Sequence, residues 1–118
     1  MTERHEESRH VTVARDYRAK YNNPIVIQSG DEVALGEWDT DYVGWIWCTQ
    51  ADGRSGWVHE SCLSIEGSVG QALRDYTARE LTAVTGEVVE LGEEHSGWVW
   101  ATNSRCESGW LPIDHLNI

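Results

Sequence analysis

The chain has no phenylalanine, one methionine, two prolines and three cysteines in 118 residues. With Phe absent and Met nearly so, the large apolar side chains are mostly indoles, since there are seven Trp. Cys48, Cys62 and Cys106 are odd in number, so a disulfide framework is disfavoured and reduced thiols are expected. The sequence has no apolar run of the roughly 18 residues a membrane helix needs. The opening MTERHEESRH is not a basic-then-apolar leader. Neither a membrane span nor a secretory signal is therefore expected, and a soluble, cytoplasmic protein is. Basic residues are scarce: nine Lys and Arg stand against twenty Asp and Glu, for a net charge of −11. A surface that tracks phosphates needs clustered Lys and Arg, so nucleic acid is excluded as the expected partner.

Catalytic patterns are equally thin. The glycines occur singly, as turns and bulges use them, and no phosphate-cradling loop is present. His59-x-x-Cys62 offers two metal ligands where a closed zinc site takes four. Neither Cys62 nor Cys106 has the base and oxyanion partners in a recognisable pattern that a nucleophile requires. The expectation is no enzyme, no metal and no cofactor.

What is there is a repeat, and it organises everything else. Laying Val13–Ile65 over Ala72–Ile118, with Asn22–Pro24 and Asp41–Val43 unmatched, pairs 47 positions, of which 18 are identical. The matches run in order: Arg15-Asp16-Tyr17 with Arg74-Asp75-Tyr76, Gly30 with Gly86, Leu35-Gly36-Glu37 with Leu91-Gly92-Glu93, Gly44-Trp45 with Gly97-Trp98, Trp47 with Trp100, and Ser55-Gly56-Trp57 with Ser108-Gly109-Trp110. The expected organisation is a flexible tail over 1–10, a first domain over 11–65, a linker over 66–70 and a second domain over 71–118. Units of about 50 residues lie near the lower limit for an independent core, so the two are expected to lean on each other.

Within each repeat the apolar period is two and punctuation returns every eight to twelve residues, which reads as short strands of a sandwich or barrel. Val11, Val13, Val33, Leu35, Ile46, Cys48 and Val58 are expected inward, as are Val89, Leu91, Val99, Ala101 and Leu111 in the second repeat. Asp52-Gly53 signals a two-residue hairpin turn with positive φ at both positions. The matching stretch Asn103–Glu107 places Cys106 where Gly53 stands, at an exposed turn.

The order of these signals resembles the Src homology 3 (SH3) domain, twice over, across about 100 of the 118 residues. The family's opening ALYDY motif is similar to Val13-Ala14-Arg15-Asp16-Tyr17 and to Ala72-Leu73-Arg74-Asp75-Tyr76. Its Trp-bearing strand resembles Gly44-Trp45-Ile46-Trp47-Cys48 and Gly97-Trp98-Val99-Trp100-Ala101. Its closing motif resembles the stretches Gly56–Leu63 and Gly109–Leu116. The chain is similar to the variant, tandem type found in bacterial proteins. The resemblance implies an all-β fold of two small SH3-like β-barrels in tandem, packed together. It also implies a groove of aromatic side chains that holds a proline-rich or basic protein segment.

Carried over residue by residue, that groove maps in the second repeat to Tyr76, Trp98, Trp110 and Pro112, with Glu80, Glu93 and Glu94 as acids able to receive an Arg or Lys. Arg74 and His115 stand where the family has its first and last groove tyrosines. The first repeat keeps Tyr17, Trp45 and Trp57 but has His59 in place of the groove proline, Cys62 in place of the last tyrosine, and no acid in its first long loop. The second repeat is thus expected to be the better receptor. Strand parity turns Trp45, Trp47, Trp98 and Trp100 away from the core. Trp45 and Trp98 are read as partner contacts, because contiguous exposed indoles mark interaction surfaces. A non-catalytic protein-interaction module is the reading favoured. The alternatives are an assembly unit whose outward indoles pack between barrels or subunits, and a cell-wall-binding module.

Overall fold

The computed structural model describes residues 9–118 and is all-β. Residues 1–8 of the tail expected over 1–10 lie outside the described residues, whereas Arg9 and His10 begin a strand. The strands are β1 (Arg9–Thr12), β2 (Val26–Ile27), β3 (Glu32–Trp38), β4 (Trp45–Thr49), β5 (Ser55–His59), β6 (Leu63–Glu66), β7 (Val69–Ala72), β8 (Tyr76–Thr77), β9 (Val88–His95), β10 (Trp98–Asn103) and β11 (Ser108–Pro112). Single 3-10 turns follow β5 and β11, at Glu60–Cys62 and Ile113–His115.

The strands form two compact units, and the division does not follow the repeats. One unit, here the contiguous unit, is Lys20–Arg79; the other, the composite unit, joins the chain up to Ala19 to Glu80–Ile118. The expected boundaries at 11–65 and 71–118 are therefore cut differently. The reason lies at the repeat junction. Glu66–Gly70, expected as a linker, is instead a tight hairpin in which β6 pairs antiparallel with β7, Glu66 opposite Val69 and Leu63 opposite Ala72. Only Gly67 and Ser68 separate those strands, and Gly67 supplies the positive φ of +60° that a two-residue loop needs. Such a loop forces its flanking strands to be neighbours. The first strand of the second repeat is thereby bound into the sheet of the first.

In the contiguous unit the main sheet has the order β5-β4-β3-β7-β6, and β2 pairs with β8. Its buried residues include Ile25, Ile27, Val33, Ile46, Cys48, Val58, Cys62 and Leu63 from the first repeat, and Ala72, Tyr76 and Ala78 from the second. In the composite unit the sheet order is β1-β9-β10-β11, with bridges Val13–Leu116, Tyr17–Ala83 and Glu80–Trp110 outside the strands. Its core is Val13 and Tyr17 from the first repeat with Leu81, Ala83, Val89, Val99, Ala101, Leu111 and Leu116 from the second.

The exchange is symmetrical at the level of residue pairs. Tyr76 pairs with Ile27, and Tyr17 with Ala83. The repeat alignment matches Tyr17 to Tyr76 and Ile27 to Ala83, so each opening motif makes with the other repeat the same contact. Leu63–Ala72 and Val13–Leu116 correspond in the same way.

Parity places the core as expected for Val13, Val33, Ile46, Cys48, Val58, Val89, Val99, Ala101 and Leu111, while Val11, Leu35 and Leu91 are only half-buried. The Asp52-Gly53 hairpin has a different turn from the one expected. Gln50 N–H donates to Arg54 O at 2.9 Å and Gly53 N–H to Gln50 O at 2.9 Å, and of the turn residues only Gly53 has positive φ. This is a three-residue loop, a turn followed by one left-handed residue. Cys106 takes the same role in the second repeat with φ +66°, and it is exposed as expected.

Candidate functional site

Because the opening motifs are exchanged, the side chains expected to line one groove are redistributed. Tyr17 sits in the composite unit with Glu80, Glu93, Glu94, Trp98, Trp110, Pro112 and His115; Tyr76 sits in the contiguous unit with Trp45 and Trp57. Tyr17 and Tyr76 thus stand in each other's expected place.

In the composite unit β10 and β11 present cross-strand pairs on one face: Trp98 opposite Pro112, Trp100 opposite Trp110, and Thr102 opposite Ser108. Tyr17 lies beside the first pair. Its ring meets Trp98 edge-on at 5.9 Å between centroids and His115 edge-on at 5.4 Å. Such edge-to-face contacts fix the rings relative to one another. The Tyr17 hydroxyl donates to a Glu80 carboxylate oxygen at 2.9 Å, which holds that carboxylate at the edge of the aromatic surface. Glu80 is itself positioned by its bridge to Trp110, and Leu81 N–H donates to Trp110 O at 3.1 Å. Trp98 remains partly exposed, whereas Trp110 and Pro112 are buried.

Further along, Trp100 and Trp110 meet edge-on at 5.3 Å and His95 lies 6.0 Å from Trp110. Glu93 pairs with His95 Nε2 at 2.9 Å, and Glu94 is exposed on the same strand opposite Val99. Arg15, at the position of the family's first groove tyrosine, donates to the Asp114 carbonyl at 2.7 Å and lies 3.8 Å from its carboxylate. Asp114 also pairs with His115 Nδ1 at 2.9 Å. Chemically, this is an apolar, partly open indole surface with a carboxylate fixed at its border.

The contiguous unit repeats the backbone plan with different chemistry. Trp45 is opposite His59, Trp47 opposite Trp57 and Thr49 opposite Ser55. Trp45 is only 4% exposed, so its expected role as an outward contact does not hold. Parity turned it away from the core, but the His59 ring lies edge-on at 5.2 Å. His59 is pinned in turn by Ser61, whose hydroxyl is 2.9 Å from Nδ1. The Tyr76 hydroxyl donates to the Trp57 carbonyl at 2.7 Å rather than to a carboxylate. At the position matching Glu80 the first repeat has Tyr21, whose ring lies 5.4 Å from Trp47. Trp47 and Trp57 meet at 5.1 Å, as their counterparts do, and both are half-buried.

Sequence reasoning missed His95 as a member of these aromatic clusters; His59 was expected at the groove-proline position, and Tyr21 as part of a different surface. The signal for Tyr21 was its alignment with Glu80. In His59-x-x-Cys62 the His59 Nδ1 faces the Ser61 hydroxyl at 2.9 Å, and Cys62 is buried. Among the described residues no three His, Cys, Asp or Glu side chains gather as a metal would need. Burial pushes the Cys48 thiol up to about 12.

The all-β architecture with its paired Trp-bearing strands is compatible with an SH3-like fold. The variant SH3 domain family matches residues 10–66, which supports an SH3 domain in this chain. Comparison with curated proteins and with solved structures gives no match. SH3 domains are in general non-catalytic modules of protein interaction. The matched stretch contains the exchange point, because residues up to Ala19 lie in one unit and those from Lys20 in the other.

Proposed function

We propose that the chain is a non-catalytic, cytoplasmic protein-interaction module of two SH3-like barrels, which binds a basic or proline-rich protein segment at the aromatic face of the composite unit. The observation that carries this is Tyr17: its ring braces the partly exposed Trp98, and its hydroxyl holds the Glu80 carboxylate at the border of the same surface. An apolar ring of the ligand would lie on Trp98 and an Arg or Lys would pair with Glu80. Glu93 and Glu94 add negative charge on β9 that attracts a cationic segment at a distance. The contiguous unit, with Trp45 buried and no counterpart of Glu80, is the weaker receptor.

The test is a titration of the chain with Arg-containing proline-rich peptides, followed through the seven indole N–H signals. The Trp98 signal is expected to move and that of Trp45 to stay. If no indole signal moves with any such peptide, the site is not a groove of this type, and the assembly reading replaces it.

A further inference from the structure

The composite unit is built from two stretches of chain separated by the whole contiguous unit, Lys20–Arg79. Everything that holds residues 9–19 on residues 80–118 is non-covalent, and it forms a complete docking site. β1 pairs with β9 over four positions, Arg9–Leu91 through Thr12–Val88. Val13 N–H donates to Glu87 O, Gly86 N–H to Val13 O, and Tyr17 and Ala83 exchange both backbone hydrogen bonds, each at 2.8 Å. Asp16 accepts from both the backbone N–H and the hydroxyl of Thr85, at 2.7 and 2.8 Å. Val13 and Tyr17 fill the core. Charge is complementary as well: residues 9–19 carry three Arg against one Asp, and residues 80–118 carry one Arg against seven acids.

None of these contacts requires that strand and receptor belong to one molecule. We infer that a second copy of this chain can supply the strand, residues 9–19 of one copy completing residues 80–118 of another, so that two copies exchange strands reciprocally in a closed dimer. The exchanged dimer keeps every contact that residues 9–19 make with residues 80–118 in the monomer. The choice between them is set by protein concentration against the effective concentration of the strand within its own chain, on the order of millimolar for a short flexible tether. The segment that must change course is Lys20–Asn23, which forms no strand and precedes the Pro24–Ser55 bridge. It includes Asn22 and Asn23, two of the six residues that the first repeat has and the second lacks. The contiguous unit makes all its sheet pairings within itself and keeps them in both forms.

Two measurements test this. The full chain is denatured, refolded at micromolar and at near-millimolar concentration, diluted, and sized by light scattering. A species of doubled mass is expected only from the concentrated refolding, and it should convert slowly because opening exposes Val13 and Tyr17. Monomer alone at every concentration would overturn the proposal. The second measurement mixes two full-length variants, Val13→Asp, with a damaged strand and intact receptor, and Leu111→Asp, with an intact strand and damaged receptor. Co-refolded, they are expected to give a heterodimer that recovers the native Trp98 signal in one of its two copies, while each alone lacks it. The Trp45 signal reports in both that the contiguous unit is folded. No recovery on mixing, with Trp45 native in both variants, contradicts the exchange.

Discussion

The two units carry the same backbone plan but differ in what meets their paired tyrosines. In the composite unit Tyr17 donates to the Glu80 carboxylate and braces a partly exposed Trp98; in the contiguous unit Tyr76 donates to a backbone carbonyl, and Trp45 is buried beside His59. Among the substitutions that separate the surfaces are Glu80 against Tyr21, Pro112 against His59, and His115 against Cys62. In the proposed reading, the face with a carboxylate held at its edge and a partly exposed indole is the receptor. The same indole becomes a structural element when a neighbouring ring closes over it.

The comparison breaks most visibly on the two equivalent indoles. Trp45→Ala removes a buried indole and should destabilise the contiguous unit by about 3–5 kcal/mol, measured by denaturant unfolding. Trp98→Ala should instead leave the fold largely intact and lower peptide affinity at least tenfold in the titration described above. Equal effects of the two substitutions on stability would erase the distinction between the units. Next in size is Glu80→Gln, which keeps the shape but removes the charge. It should weaken binding of an Arg-containing peptide by roughly 1.5–3 kcal/mol, by calorimetry, with little change for a peptide lacking Arg.

Cys106 sharpens the comparison of the two hairpins. It holds a left-handed backbone that its counterpart Gly53 adopts without strain, so Cys106→Gly should stabilise the composite unit by about 1 kcal/mol in thermal unfolding. The same substitution removes the one exposed thiol. In the native wild-type chain a thiol reagent should label Cys106 and spare Cys48 and Cys62, which are buried, Cys48 with its thiol pushed up to about 12.

The smallest expected effect is that of pH on Asp16. The Thr85 backbone N–H, and then its hydroxyl, hold the Asp16 carboxyl below its ordinary value of 3.8. A carboxyl lowered by folding stabilises the folded state fully above its unfolded value and loses that contribution as pH falls through the lowered one. The composite unit should therefore lose stability below about pH 4, and Asp16→Asn should flatten that part of its acid profile, followed through the Trp98 signal.

Much of the fold was legible in the sequence. Alternation gave the strands and most of the core, the repeat gave two related halves, and the three ordered motifs gave the SH3 resemblance. The exchange was not, because Tyr17 followed by Ile27 and Tyr17 followed by Ala83 present the same local pattern. Propensity and parity cannot tell which copy of a repeated strand fills a slot. The single local clue was Gly67-Ser68, a two-residue turn between alternating strands, which binds the end of one repeat to the start of the next. Trp45 escaped for a related reason: parity says which face a side chain takes, and only the fold says that His59 closes over it.

The central claim, that each opening motif completes the other repeat, is tested most directly by proton contacts between assigned side chains in a sample sized as monomer. The account predicts cross-peaks from the Tyr17 ring to Ala83 and Trp98, and from the Tyr76 ring to Ile27. Cross-peaks from Tyr17 to Ile27 and Trp45, with Tyr76 on Ala83, would mean that each repeat folds on itself and would contradict it.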